Sequence, residues 1–232
     1  VGWVAPVVDT LSTIRHNRAM TSYVRPEIAP QVYRDANGTV IPYGEQWGLA
    51  GPPEESYSRE THPERFAPLH DVARAVVTHL ARTFEVDVER GVERASELLY
   101  DHLPVLDAYR LRPRAADAAP LLVALTEYPG VIVQAGVFWS GLYPVCGCDA
   151  CDEVWESYAE QLESHVLGVA DGHFFETVVN RGRENAHMTY GYRIAGMGTG
   201  WSDVPVTSAE QRDEALARLD ALPTGWQPWP RL

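Results

Sequence analysis

The chain contains no lysine: all 19 of its basic residues are arginine, set against 32 acidic residues for a net charge of −13. A field of that sign repels phosphate backbones and anionic head groups, which disfavours nucleic acid and membrane surfaces as partners. The arginines are scattered along a chain rich in Ala, Gly and Pro, so their exclusive use reads as coding bias and not as a recognition surface. No run of about 18 apolar residues is present, which argues against a membrane-spanning helix. The opening "VGWVAPVVDTL" lacks the basic region that begins a secretory signal. There is also no nucleophile elbow, Walker loop or helix with paired zinc-binding histidines. The "GMGTG" at 196–200 has no following Lys-Ser/Thr and reads as a flexible turn. With 45% hydrophobic residues over 232 positions, a core can form without covalent staples. A globular protein of the cytoplasm is expected.

Cysteine is scarce too. The three that occur all lie within "YPVCGCDACDE", Tyr143 to Glu153, in the spacing C-x-C-x2-C. A secreted disulfide framework would spread an even number through the chain, so this cluster points to metal binding, redox chemistry or an inert loop.

Periodicity sets the expected architecture. Residues 1–20, with Val at position 1 and the first Met at position 20, are expected to be an N-terminal extension outside the fold, followed by a single α+β domain over 21–232. "VYRDANGTVIPYG" alternates about Asn37-Gly38 and predicts a β-hairpin. Thr61 and Glu64 form a potential capping box for a helix over 62–83, with Phe66, Leu69, Ala73, Val76, Val77 and Leu80 on its inner face. A second helix is expected over about 89–103, from Val92, Ala95, Leu98, Leu99 and His102, ended by Pro104. "LDAYRLRPR", "PLLVALTEY" and "VIVQAGVFW" read as strands, the last two joined at Pro129-Gly130 as central antiparallel neighbours. A helix follows the cysteines over 153–170. "HFFETVVN" and "HMTYGYRIAG" are two more strands, and 208–222 is a last helix with Ser208 and Gln211 as a capping box. The segregation of helices from antiparallel strands predicts a two-layer α+β fold, a sheet of about 4–6 strands with helices packed on it.

Cys146, Cys148 and Cys151 on one turn could offer three thiolates to a zinc ion, which takes four N/S ligands in a structural site. No fourth cysteine exists. Three thiolates already leave a dication at −1, so a neutral histidine completes the site at lower electrostatic cost than Asp149 or Asp152. His165 would lie 14 residues beyond Cys151 on the following helix, roughly 20 Å along its axis. The fourth ligand is therefore expected outside that helix, among His62, His70, His102, His173 and His187, and His173 is the residue assigned. If no imidazole reaches the sulfurs, the fourth ligand becomes Asp149, Asp152 or water, and an open catalytic site with one of those acids as base gains ground. The redox alternative rests on Cys148-Asp149-Ala150-Cys151 at a helix start, opposed by the acids Asp149, Asp152 and Glu153 around it. In the inert reading Asp149 caps the helix. Trp47, Trp201, Trp226 and Trp229 could line a sugar or peptide groove, although tail aromatics more often cap a core.

The stretches "YVRPEIAP", "VYRDANGTVIPYGEQWG", "THPERFAPLH", "YPGVIVQAG" and above all "YPVCGCDACDE" resemble a family of uncharacterised bacterial proteins catalogued as a domain of unknown function. The likeness is carried by residues 20–180. It implies no activity, cofactor or catalytic residue. The expected function is a non-catalytic, partner-binding cytoplasmic protein with a structural zinc at Cys146, Cys148, Cys151 and His173. The alternative is a metal-assisted hydrolase or thiol-disulfide oxidoreductase using the same cysteines.

Overall fold

The structure, a computed structural model, describes residues 23–99, 103–180, 188–195, 198–204, 209–222 and 224–232. Five strands, β1 (Val86–Arg90), β2 (Val105–Pro113), β3 (Leu121–Thr126), β4 (Gly130–Ala135) and β5 (Trp139–Tyr143), pair in sequence order as an antiparallel meander. β3 lies at its centre and is buried at every position. Both of its faces are covered, which explains its near-continuous apolar text. Leu121, Val123 and Leu125 join Val131 and Val133 in the main core, while Leu122 and Ala124 join Ala108, Ile132 and Leu98 in a smaller cluster on the opposite face.

Two helices close the main core. α1 (Pro68–Thr83) buries Leu69, Val72, Ala73, Val76, Val77 and Leu80, a 3–4 spacing that makes one apolar stripe. α2 (Trp155–Ala170) buries Tyr158, Ala159, Leu162, His165, Val166 and Val169 in the same way. The two helices pack against each other and on β4. A second antiparallel sheet follows, with β6 (Phe174–Asn180), β7 (Met188–Ile194) and β8 (Gly198–Val204) in that order. α3 (Ala209–Asp220) packs on β6. The C-terminal tail returns to the main core, where Trp226 and Trp229 are buried and the indole of Trp229 donates to Ala119 O at 2.9 Å. No helix among the described residues is long and apolar enough to cross a membrane.

The α+β expectation and the central β3–β4 hairpin agree with this architecture, and several local expectations do not. Of the helix expected over 89–103, residues 89–99 are not helical in the α sense, and 100–102 lie outside the described residues. The backbone runs extended through β1, turns as a 3-10 helix over Val92–Glu97 and re-enters the sheet at β2. Ala95, Leu98 and Leu99 have helical spacing because they cover the sheet's second apolar patch or the edge of the main core. The helix expected from 62 begins at Pro68, after a 3-10 turn at Pro63–Phe66. Thr61 does not cap it, since the Thr61 side chain and amide are both committed to Asp149. The Asn37-Gly38 hairpin is reduced to one bridge, Arg34 with Val40, around a turn in which Asp35 Oδ1 accepts from the amides of Asn37 and Thr39. Strand "VIVQAGVFW" is broken by a turn at 136–138 into β4 and the start of β5. Ser208 and residues 1–20 lie outside the described residues.

Candidate metal centre

The cysteine turn leaves the end of β5 and re-enters the fold at α2. Cys148 leads into a single 3-10 turn, Asp149–Cys151, and Asp152 then takes a left-handed conformation before α2 begins at Trp155. This geometry gathers the sulfurs. Cys146 Sγ lies 3.3 Å from Cys148 Sγ, and Cys148 Sγ lies 3.4 Å from Cys151 Sγ. All three fall within 4.8 Å of one another, and among the described residues the metal-ligating group so defined consists of these three sulfurs. None is bonded to another, since a disulfide requires about 2.05 Å. Tetrahedral zinc at about 2.3 Å from each sulfur sets the sulfurs roughly 3.8 Å apart, a separation that small side-chain rotations supply.

Exposure is graded across the cluster: Cys148 is buried, Cys146 half-buried and Cys151 exposed. Burial acts to raise the Cys148 thiol, but hydrogen bonds from the Cys146 side chain and from the Cys151 and Ala150 backbones outweigh it and lower the group. Cys151 is pushed up to about 12, chiefly by its bonds to Cys148 and Cys146. Of these two sulfurs, negative charge is favoured at Cys148, the more buried. The Cys148 amide in turn donates to Cys146 Sγ at 3.5 Å.

The acids that surround the sulfurs in sequence do not face them as ligands. Asp149 accepts the Thr61 amide and hydroxyl at 2.8 and 2.5 Å, one on each oxygen. Asp152 accepts the Gln46 amide and side chain at 2.8 and 2.6 Å, again one on each oxygen. Trp47 Nε1 donates to Asp149 O at 3.0 Å, and the Asp149 amide donates to Arg59 O at 2.8 Å. The turn is therefore fastened to the N-terminal arm, residues 43–62, by side chains that a local reading treats as solvated. Asp149 does not cap α2, whose N-cap is Val154.

Histidines are placed elsewhere. His173 follows α2 at its far end, its amide donating to Gly168 O at 2.7 Å. The 16 residues of α2, about 24 Å of helix, separate it from the cysteine turn. Both ring nitrogens of His62 are engaged, with Glu64 Oε1 at 2.7 Å and Arg34 O at 2.8 Å. His70 Nε2 lies 3.0 Å from Gly130 O, and His165 is bonded to Tyr143 inside the core. His102 and His187 lie outside the described residues.

Two neighbours were not legible as site residues. A Cβ on Gly147 would sit 1.6 Å from Tyr128 Oη, so the absence of a side chain there lets the phenol abut the turn. That hydroxyl is buried and has no hydrogen-bond partner among the described residues. Burial, reinforced by Glu60 and the two nearest cysteines and opposed by Arg65, pushes it up to about 12, so it remains a donor at neutral pH. The second neighbour is Arg65, 2% exposed, whose guanidinium donates to Gly147 O at 2.8 Å from beneath the turn. Neither belongs to a motif of recognised spacing. Two surface grooves, one lined by Tyr23, His79 and Arg82 and the other by Phe175, Glu176 and Trp226, share no residue with the cysteine turn. Of the tryptophans, Trp47 is bonded to the turn, Trp226 and Trp229 fill the core, and Trp201 stands 77% exposed on β8.

A family model described as "Family of unknown function (DUF6226)" matches residues 29–232, and the match runs through the C-terminal tail. No curated protein and no solved structure matches the chain.

Proposed function

The chain belongs to that family of unknown function, and we propose that it is a metal-binding protein whose Cys146, Cys148 and Cys151 hold one thiophilic divalent ion, zinc, as an architectural clip. The observation that carries this reading is the convergence of all three sulfurs within 4.8 Å on a turn held from outside by Asp149, Asp152 and the Gly147 carbonyl. A polar turn between a strand and a core helix gains order when one ion ties its ends. No other ligating side chain joins the sulfur group among the described residues, so the fourth ligand on this reading is water or one of His102 and His187, which lie outside them.

An open fourth position is also what a catalytic zinc requires. The clip is favoured because catalysis needs a base aimed at the metal-bound water, and both oxygens of Asp149 and of Asp152 are already occupied by hydrogen bonds. The redox reading has one observation in its favour, sulfur pairs at 3.3 and 3.4 Å, from which a disulfide closes with little movement.

Metal analysis of the reduced protein with thiol titration separates these readings. The clip predicts about one zinc per chain, thiols that react only after chelation, and loss of the metal in Cys148→Ser together with a fall in Tm. Metal-free protein with three freely titrating thiols would overturn it. Two thiols that cycle reversibly with a dithiol reductant would establish the redox reading instead.

A further inference from the structure

Arg65 is 2% exposed, and a guanidinium keeps its charge at any pH a folded protein meets. Its hydrogen bonds go to four backbone carbonyls: Glu153 O at 3.3 Å, Thr61 O at 2.6 Å, His62 O at 3.2 Å and Gly147 O at 2.8 Å. The rings of Tyr43 and Phe66 lie 4.3 and 4.4 Å from its central carbon. Among the described residues Arg65 has no ion pair with a carboxylate. The buried acid Asp149 is one residue removed through Thr61 and is itself 3.9 Å from Arg59. Carbonyl groups satisfy donors without cancelling charge, and a buried charge without an opposite one is costly. The place beside it where negative charge would arise is the cysteine turn, whose Gly147 carbonyl, between Cys146 and Cys148, it already grips.

We propose that Arg65 is the built-in counter-cation and positioning residue of the cysteine centre, matched to an anionic complex of three thiolates and one divalent metal. This rests on the metal-binding reading above. Three thiolates, a dication and a neutral fourth ligand sum to −1, which one guanidinium neutralises. The same side chain holds the carbonyls of Thr61 and His62, so the group that balances the charge also ties the N-terminal arm beneath the turn.

The test is Co²⁺ titration of the reduced full chain, read by thiolate-to-cobalt charge-transfer and ligand-field absorption, for wild type and for R65K, R65Q and R65M. Far-UV circular dichroism of each metal-free protein monitors the fold. Charge removal in R65Q and R65M is expected to weaken Co²⁺ binding at least tenfold, about 1.4 kcal/mol. R65K keeps the charge while losing the planar fork, and is expected to bind within about threefold of wild type, or about 0.7 kcal/mol on the same scale. Equal weakening in R65K and R65Q would reduce Arg65 to a carbonyl clamp and overturn the proposal, as would unchanged binding in the neutral variants. If neither neutral variant folds, R65K alone decides: near-wild-type binding supports the counter-charge and a tenfold loss overturns it. A reduced wild type that binds no Co²⁺ would instead sink the metal-binding reading, and this inference with it.

Discussion

Thr61 gives both of its polar hydrogens to one carboxylate, the amide to Asp149 Oδ1 at 2.8 Å and the hydroxyl to Oδ2 at 2.5 Å. The pair spans 88 positions of sequence and joins the N-terminal arm to the cysteine turn. Hydrogen bonds to a charged acceptor contribute about 1.5–3 kcal/mol each when one partner is removed. Asp149→Ala is therefore expected to cost about 2–4 kcal/mol, given that the two bonds share one carboxylate. It should also expose residues 43–62 to limited proteolysis at sites the wild type protects. Thr61→Ala should cost less, and the double variant should cost little more than Asp149→Ala alone. Additive losses in chemical denaturation would show that the two side chains act independently.

Gly147 makes a sharper demand. An added Cβ would meet Tyr128 Oη at 1.6 Å and Cζ at 2.8 Å, and no rotation of the hydroxyl removes a clash with the ring carbon. Gly147→Ala is expected to lower Tm, with overpacking costing about 1–3 kcal/mol, and to weaken metal binding through displacement of the flanking cysteines. Truncating the ring should relieve it, so Gly147→Ala with Tyr128→Ala should bind metal better than Gly147→Ala alone. A double variant no better than the single one would show that the Tyr128 ring is not the cause.

His165 offers a pH signature independent of the metal. Burial lowers its imidazole from 6.5 to about 4, and burial raises Tyr143, so the phenol donates to the neutral ring's Nδ1. Because the folded state binds this proton less readily than the unfolded one, the contribution is complete above pH 6.5 and is lost as pH falls toward 4. At pH 5 the loss is about 2 kcal/mol for a depression of this size. The unfolding free energy of wild type minus that of His165→Phe should fall by that amount between pH 7.5 and pH 5. A difference that does not change with pH would mean that the imidazole keeps its ordinary affinity for protons.

What could be read from the sequence follows what is local. α1, α2 and the β3–β4 hairpin were legible because their burial is periodic or continuous, and the cysteines because their spacing alone puts them on one turn. The segment after Gly91 departs from the expected helix because Ala95 and Leu98 have helical spacing but pack against Ala108, Leu122 and Ile132, on strands that local spacing does not reveal. β8 carries Gly198, Gly200 and an exposed Trp201, so it has neither alternation nor β-propensity enough to stand out. The role of Arg65 is invisible for a similar reason: in the helix expected over 62–83 it has no place in the apolar stripe, and only the closing of Tyr43, Phe66 and Gly147 around it buries the guanidinium. His173 lies beyond the whole length of α2, so only a chain folding back along that helix would return it to the cysteine turn, and the chain instead enters β6.

Glu176 ties the two sheets together and sits across β5 from the cysteine turn. Only 5% exposed, its Oε1 accepts from the amides of Phe138 and Trp139, each at 2.8 Å. Its Oε2 accepts from the Val137 amide at 2.9 Å and from Trp226 Nε1 at 3.0 Å. Gly136, at φ +63°, permits this approach, since a Cβ there would lie 2.2 Å from Oε2. Burial raises the carboxyl group, while the amides and the indole act in the opposite direction. Four converging N–H donors leave no acceptor for a carboxyl proton, so the geometry is that of a carboxylate. Gln at this position has one acceptor oxygen and turns an NH2 toward two of the donors. Glu176→Gln is therefore expected to cost at least about 2 kcal/mol, and Glu176→Ala more, since it leaves every donor unsatisfied. Urea unfolding at pH 7 measures both. Metal affinity should be unchanged in whichever variant remains folded, because the 136–138 turn and the cysteine turn lie at opposite ends of β5. A Gln variant as stable as wild type would show that the side chain is protonated in the folded protein at pH 7. In that case wild-type stability should decline relative to Gln as the pH rises above the ordinary carboxyl range, the direction required of a carboxyl group whose folded pKa exceeds its unfolded one.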